Sequence, residues 1–143
     1  MFGRATTARQ SKQKTYFNAM NYIEEALRTS STKADISDRK VQLLHAAVGL
    51  CTESAEFLDV LKKAVFYCKP MTEKELLNLE EELGDLCWYM AIAMNQLGTD
   101  FEKVQRRNIA KLKKRYPEKF SLDNAENRDL DGEVQAMKQV DVV

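Results

Sequence analysis

The sequence predicts an all-α fold, a four-helix bundle, on three observations. Five glycines and two prolines in 143 residues are too few for the tight turns of a barrel or sandwich. Apolar residues recur at three- and four-residue spacings over four long stretches, which is the period of one helix face. The breaks between those stretches are short, which favours antiparallel neighbours. A chain of this length supports one domain with a single core.

Residues 1–12 are polar and are expected to be flexible. From residue 13 to Arg28, the positions Phe17, Met20, Ile23 and Leu27 form an amphipathic stripe. Ser30, Ser31 and Thr32 break it, and Asp35 or Ser37 is a candidate cap for the next helix. That second helix, Asp38 to Phe66, is the least polar. Leu44, Ala47, Cys51, Ala55, Leu58, Leu61 and Val65 make one stripe, and Ala46, Gly49, Leu50, Phe57 and Val60 keep the other sides small or apolar. A helix apolar nearly all round is expected to be buried nearly all round, in part by a partner subunit. Thr72 and Glu75 read as a capping box for a third helix, Glu73 to Leu97. Its core line is Leu76, Leu79, Leu83, Leu86, Met90, Met94 and Leu97, closed by Gly98. Thr99 or Asp100 caps a fourth helix, Phe101 to Arg115, which stops before Pro117. Residues 13–120 thus make one helical domain. Residues 121–143 form a polar, acidic tail with a weak helix near 125–138.

Lysine plus arginine and aspartate plus glutamate both total 22, a balance that argues against a surface built for nucleic acid. His45 is the single histidine, which removes histidine-rich metal sites. Three cysteines with no C-x-x-C pair argue against a disulfide scaffold and for a reduced, cytoplasmic setting. The first residues carry no apolar core of a secretory signal, and no run approaches the length that spans a membrane.

Charge on apolar helices is where chemistry is expected. Glu53 and Glu56 on the second helix, and Glu82 and Asp85 on the third, are each three residues apart and so project from one face. Glu53 and Glu56 share their side with Ala46, Gly49 and Val60. Carboxylates held there are costly unless a cation or a proton neutralises them. Four facing carboxylates make an oxygen-only site suited to Mg²⁺ or Mn²⁺. Gly84, beside Asp85, is expected to mark a close helix approach. No glutamate is followed by histidine at the Glu-x-x-His spacing, so a carboxylate di-iron site is excluded.

Residues 103–119 carry eight basic side chains against one acid, Glu118. Asn108, Lys111 and Arg115 fall on one face of the fourth helix, where an ammonium and a guanidinium fork can grip a polyphosphate. A nucleic-acid patch is the competing reading of that run. Carboxylates for a metal together with a polyphosphate face are the two halves of a phosphoryl-transfer site.

These residues fall into an ordered set: Leu44-His45-Ala46-Ala47 before Glu53-x-x-Glu56, then Glu81-Glu82-Leu83-Gly84-Asp85 with Trp88-Tyr89, then Asn108-x-x-Lys111-Leu112-x-x-Arg115-Tyr116-Pro117. The set resembles that of the MazG-like all-α nucleoside triphosphate pyrophosphohydrolases, over about residues 38–120. The resemblance implies a bundle of that type, assembled as a homodimer or a homotetramer (a dimer of dimers). It implies Mg²⁺-dependent cleavage of a nucleoside triphosphate into monophosphate and pyrophosphate. Glu53, Glu56, Glu82 and Asp85 would be metal ligands, with Glu53 also acting on the attacking water. Lys111 and Arg115 would hold the phosphates, with Asn108 and Tyr116 nearby. The acidic tail is not part of the shared pattern.

His45 lies two turns before Glu53 and can line a base pocket, though a lone histidine on a buried helix is more often a core residue. Tyr89 aligns with Glu82 and Asp85 and can stack on a base or bond a phosphate. Trp88 reads as core or interface, and Cys51 and Cys87 as packing residues. Three functions are open: a general nucleotide-pool or house-cleaning pyrophosphohydrolase; a narrower one acting on dUTP, dCTP or phosphoribosyl-ATP; and a non-enzymatic helical protein that binds nucleic acid or a partner.

Overall fold

The computed structural model describes residues 19–30 and 38–140. Every regular element among them is helical: α1 (Ala19–Arg28), α2 (Arg39–Phe66), α3 (Glu73–Leu97), α4 (Phe101–Arg115), α5 (Leu122–Glu126) and α6 (Leu130–Gln139). The start of the first predicted helix, with Phe17, lies outside the described residues, as do the candidate caps Asp35 and Ser37. Asp38 performs the capping: its carboxylate accepts from the Lys40 N–H at 2.6 Å and the Val41 N–H at 3.3 Å. The Thr72–Glu75 capping box opens α3. Gly98 closes it in the left-handed region at φ 62°, where a side chain would be strained. Asp100 caps α4 through the Lys103 N–H at 2.8 Å.

The most extensive packing is α2 on α3, joined by a six-residue turn as a helical hairpin. α1 packs on α3 and touches α4, and α4 packs on α6. Two pins fix α1. The Trp88 indole N–H is shared between the Ala26 carbonyl (3.0 Å) and the Thr29 hydroxyl (2.8 Å), and the Tyr22 hydroxyl donates to the Gly84 carbonyl at 3.3 Å. The close helix approach expected at Gly84 is not there: nothing among the described residues lies near the position of an added Cβ. Gly49 is the glycine that contact requires, because the Tyr89 ring occupies the space a Cβ would fill.

α2 turns toward α3 the side that carries Ala46 and Gly49, both buried. The stripe expected as core faces the other way: Leu44, Leu58 and Val65 are each more than 60% exposed, and Ala47, Cys51 and Ala55 are exposed as well. Small residues decided this orientation, since they let the two backbones approach where leucines would hold them apart. The apolar side chains buried among the described residues are Ala26, Ala46, Ala91, Ile92 and Met94. Leu76, Leu77 and Leu83 extend the bare apolar surface onto α3. Burial of α2 nearly all round is therefore not achieved by the described residues. No described helix is long and apolar enough to cross a membrane.

The residues expected as a tail include α5 and α6. Ser121 caps α5 through the Asn124 N–H at 3.1 Å, and Asp129 caps α6 through the Gly132 N–H at 2.9 Å. In place of one weak helix near 125–138, a break at Asn127 to Asp129 separates two.

Candidate active site

The side of α2 that packs on α3 also carries Glu53, and the facing side of α3 carries Glu82 and Asp85. One carboxylate oxygen from each of the three lies within 4.8 Å of the others. Opposite ligands of an octahedral Mg²⁺ stand about 4.2 Å apart, so small side-chain rotations let all three share one cation. The donor set is hard oxygen alone, which fits Mg²⁺ or Mn²⁺ and not a thiophilic metal. Glu56 falls outside this group of three and is exposed. Its charge still acts on Glu82.

Glu82 is the buried member, at 5% exposure. Burial pushes its carboxyl above the ordinary range. The Asn78 amide, donating to Oε1 at 2.6 Å, pulls it back, and the charges of Glu56, Glu53 and Asp85 push it up again. No described cation balances it by an ion pair. The Thr52 hydroxyl is within reach of both the Gly49 carbonyl (2.9 Å) and Glu53 Oε1 (3.1 Å), which fixes the turn of α2 that presents Glu53.

Two turns before Glu53 on α2, His45 meets Tyr89, one turn after Asp85 on α3, edge-on at 5.6 Å between ring centroids, and Trp88 at 6.4 Å. Trp88 and Tyr89 are themselves perpendicular at 4.9 Å. His45 Nδ1 is buried with no hydrogen-bond partner among the described residues. Sequence reasoning missed Tyr22 and Asn78. Tyr22 comes from a separate helix and carries no pattern that points to α3. Asn78 could have been found, since it sits four residues before Glu82 on the same face.

The basic helix α4 carries the residues expected to hold phosphates. Asn108 is exposed and Lys111 half-buried. Arg115 is engaged: its Nε and NH2 donate to the two oxygens of Glu133, each at 2.8 Å. Arg128 adds two further bonds to the same carboxylate, at 3.3 and 2.7 Å. Tyr116 packs against Phe120, with the Arg115 guanidinium 5.8 Å from its ring.

The sequence model described as the MazG nucleotide pyrophosphohydrolase domain matches residues 43–120, which hold the three-carboxylate group and the aromatic cluster. The chain belongs to that family. The MazG match ends before α5, so the Glu133 side of the Arg115 contact lies outside it. The chain is also 32% identical over 88 residues to the Gene 37 protein of Mycobacterium phage L5, covering 60% of this chain and 76% of that one. No solved structure matches it.

Proposed function

We propose that this MazG-family chain hydrolyses nucleoside or deoxynucleoside triphosphates to monophosphate and pyrophosphate in the presence of Mg²⁺, as a nucleotide-pool or house-cleaning enzyme. The observation that carries this is the convergence of Glu53, Glu82 and Asp85 from two helices, with no ion pair to Glu82 among the described residues. Glu53, Glu82 and Asp85 would hold the cation, with Glu56 joining from the rim; Mn²⁺ suits the same oxygens. The bound cation would supply neutralisation of the phosphate oxygens. Glu53, the half-buried member, accepts the proton of the attacking water. The water oxygen bonds to the α-phosphorus, the α–β bridging P–O bond breaks, and pyrophosphate leaves. Asn78 holds Glu82, so that one ligand is fixed before substrate arrives.

Lys111 and Asn108 are candidates to hold the phosphates. Arg115 can join them only by exchanging Glu133. His45 and Tyr89 stand where a base can stack. The bare leucines and valines of α2 and α3 support a homodimer or homotetramer, and three free cysteines suit a reducing cytoplasm. A narrower substrate such as dUTP, dCTP or phosphoribosyl-ATP keeps the same chemistry.

The test is pyrophosphate release from a panel of eight common nucleoside triphosphates, in Mg²⁺ and in EDTA. Release in Mg²⁺ alone supports the reading, and the ranking of bases separates a broad from a narrow enzyme. No release from any substrate, with tight nucleic-acid binding instead, supports the non-enzymatic alternative. Light scattering at micromolar concentration tests the assembly.

A further inference from the structure

A groove of about 380 Å³ lies under the α2–α3 turn, within the ~300–1,000 Å³ range of small-molecule sites. Its walls carry three lysines from three stretches of chain: Lys63 near the end of α2, Lys69 in the turn and Lys74 in the first turn of α3. Val60 and Ala64, both half-buried, give it an apolar side, which strengthens charge interactions at its mouth. Lys63 is paired with Asp59. Lys69 and Lys74 form no ion pair with any described residue.

The turn is built to bring Lys69 back over α2. Cys68 adopts φ 49°, and the Lys69 N–H returns to the Lys63 carbonyl at 3.2 Å. Glu75, the acid of the groove, is tied into the α3 capping box by the Thr72 N–H at 3.1 Å. The decisive residue is Asn78: it borders the groove and also donates to Glu82. It stands about 6 Å along α3 from Glu82, and Lys74 about 6 Å further, at 1.5 Å rise per residue. Two phosphate groups and an extended lysine side chain cover that span together. Among the described residues, one hairpin therefore carries carboxylates without a paired cation at one level and two lysines, Lys69 and Lys74, without a paired acid at the next.

We infer that the groove under the α2–α3 turn is a polyphosphate subsite, in which Lys69 and Lys74 take the phosphates beyond the one that a cation would bring to Glu53, Glu82 and Asp85. This rests on the hydrolysis proposed above. It also answers a shortage, because the guanidinium expected to hold phosphates, Arg115, is taken by Glu133. The ligand class is the terminal diphosphate of a triphosphate, or free pyrophosphate.

The experiment is calorimetric titration of the full chain with inorganic pyrophosphate in Mg²⁺, alongside triphosphate kinetics. The variants are Lys69→Ala, Lys74→Ala and the double variant, with Lys40→Ala, on the far end of α2, as the charge-matched control. Each single variant is expected to weaken pyrophosphate about fivefold, the size of one charge-assisted contact at an open site. KM for the triphosphate should rise by a similar factor while kcat moves less, and Lys69→Arg should restore most of the loss. Pyrophosphate affinity in the double variant within twofold of Lys40→Ala overturns the subsite, as does a parent that binds no pyrophosphate. Variants that change the ranking of bases but keep pyrophosphate affinity overturn it in favour of a base pocket. A parent that turns over nothing, yet loses pyrophosphate binding in the lysine variants, sinks the hydrolysis reading and leaves the subsite standing.

Discussion

The α2–α3 hairpin and the α4–α6 contact each bury a glutamate, under opposite conditions. Glu133 is 2% exposed and accepts four charge-assisted hydrogen bonds from Arg115 and Arg128. Those bonds hold its carboxyl far below the ordinary range, Arg115 first and Arg128 second. Glu82 is 5% exposed, has one neutral amide, and faces three further carboxylates whose charges push its carboxyl up. A buried charge with its full set of partners is a fastener. One with neighbours of its own sign is stable only when something else supplies the opposite charge. The first arrangement fastens α6 to α4; the second is the one on which the proposed chemistry rests.

The largest expected effect breaks the chemical side. Glu53→Gln, Glu82→Gln and Asp85→Asn should each lower pyrophosphate release by about 100-fold or more, as when one charge-stabilising group is removed from a reacting centre. Glu56→Gln, outside the group of three, should lose less. Full activity in any two of the four would sink the assignment. Their far-ultraviolet circular dichroism should match the parent's.

The next effect is on stability, and its sign separates the two regions. In EDTA, Glu82→Gln should melt at or above the parent, because it removes a charge from a repelling cluster. Adding Mg²⁺ should raise the parent's melting temperature and leave that variant's almost unchanged. A site filled to 100 times its Kd adds about 2.7 kcal/mol. An equal rise in both would place the cation elsewhere.

Glu133→Gln should instead melt below the parent at neutral pH, with or without Mg²⁺. Its contribution is complete above the ordinary carboxylate value of about 4.3, where folded and unfolded chains are both ionised. It falls away as the pH drops below that, because the unfolded chain takes up a proton that the native chain refuses. The parent should thus lose stability more steeply than Glu133→Gln between about pH 5 and pH 3. Parallel curves would mean that the carboxylate is not held by the arginines in solution. Arg115→Ala should share this loss, whereas Lys111→Ala should raise KM without lowering the melting temperature.

The smallest effect sharpens the basic helix. Lys113→Ala should leave KM and stability within error of the parent. Lys114→Ala should cost slightly more stability, since Lys114 pairs with Asp129 at 2.9 Å and holds the start of α6. Equal, graded losses of activity across Lys111, Lys113, Lys114 and Arg115, deepening with salt, would favour the nucleic-acid reading.

Helix bounds were legible because they rest on local chemistry. Thr72 with Glu75, Gly98, Asp100 and the stop before Pro117 each act within a few residues, and α3 and α4 begin and end where those signals stand. The pairing of Glu53 with Glu82 and Asp85 was legible for a similar reason: helical period puts each on a definite side, and the short turn brings the two helices together. Period alone could not say which side of α2 meets α3, because that helix is apolar or small nearly all round. The stripe of Leu44, Leu58 and Val65 looked like core and is bare, while Ala46 and Gly49 form the contact. Nor could it place Glu133 on Arg115, eighteen residues apart across a break, or bring Lys63, Lys69 and Lys74 around one groove. Caps and periods are set by the backbone's own hydrogen bonds and so are written locally. Which face is buried, and which charge finds a partner, depends on the closest approach of distant side chains, and that is decided only when the helices pack.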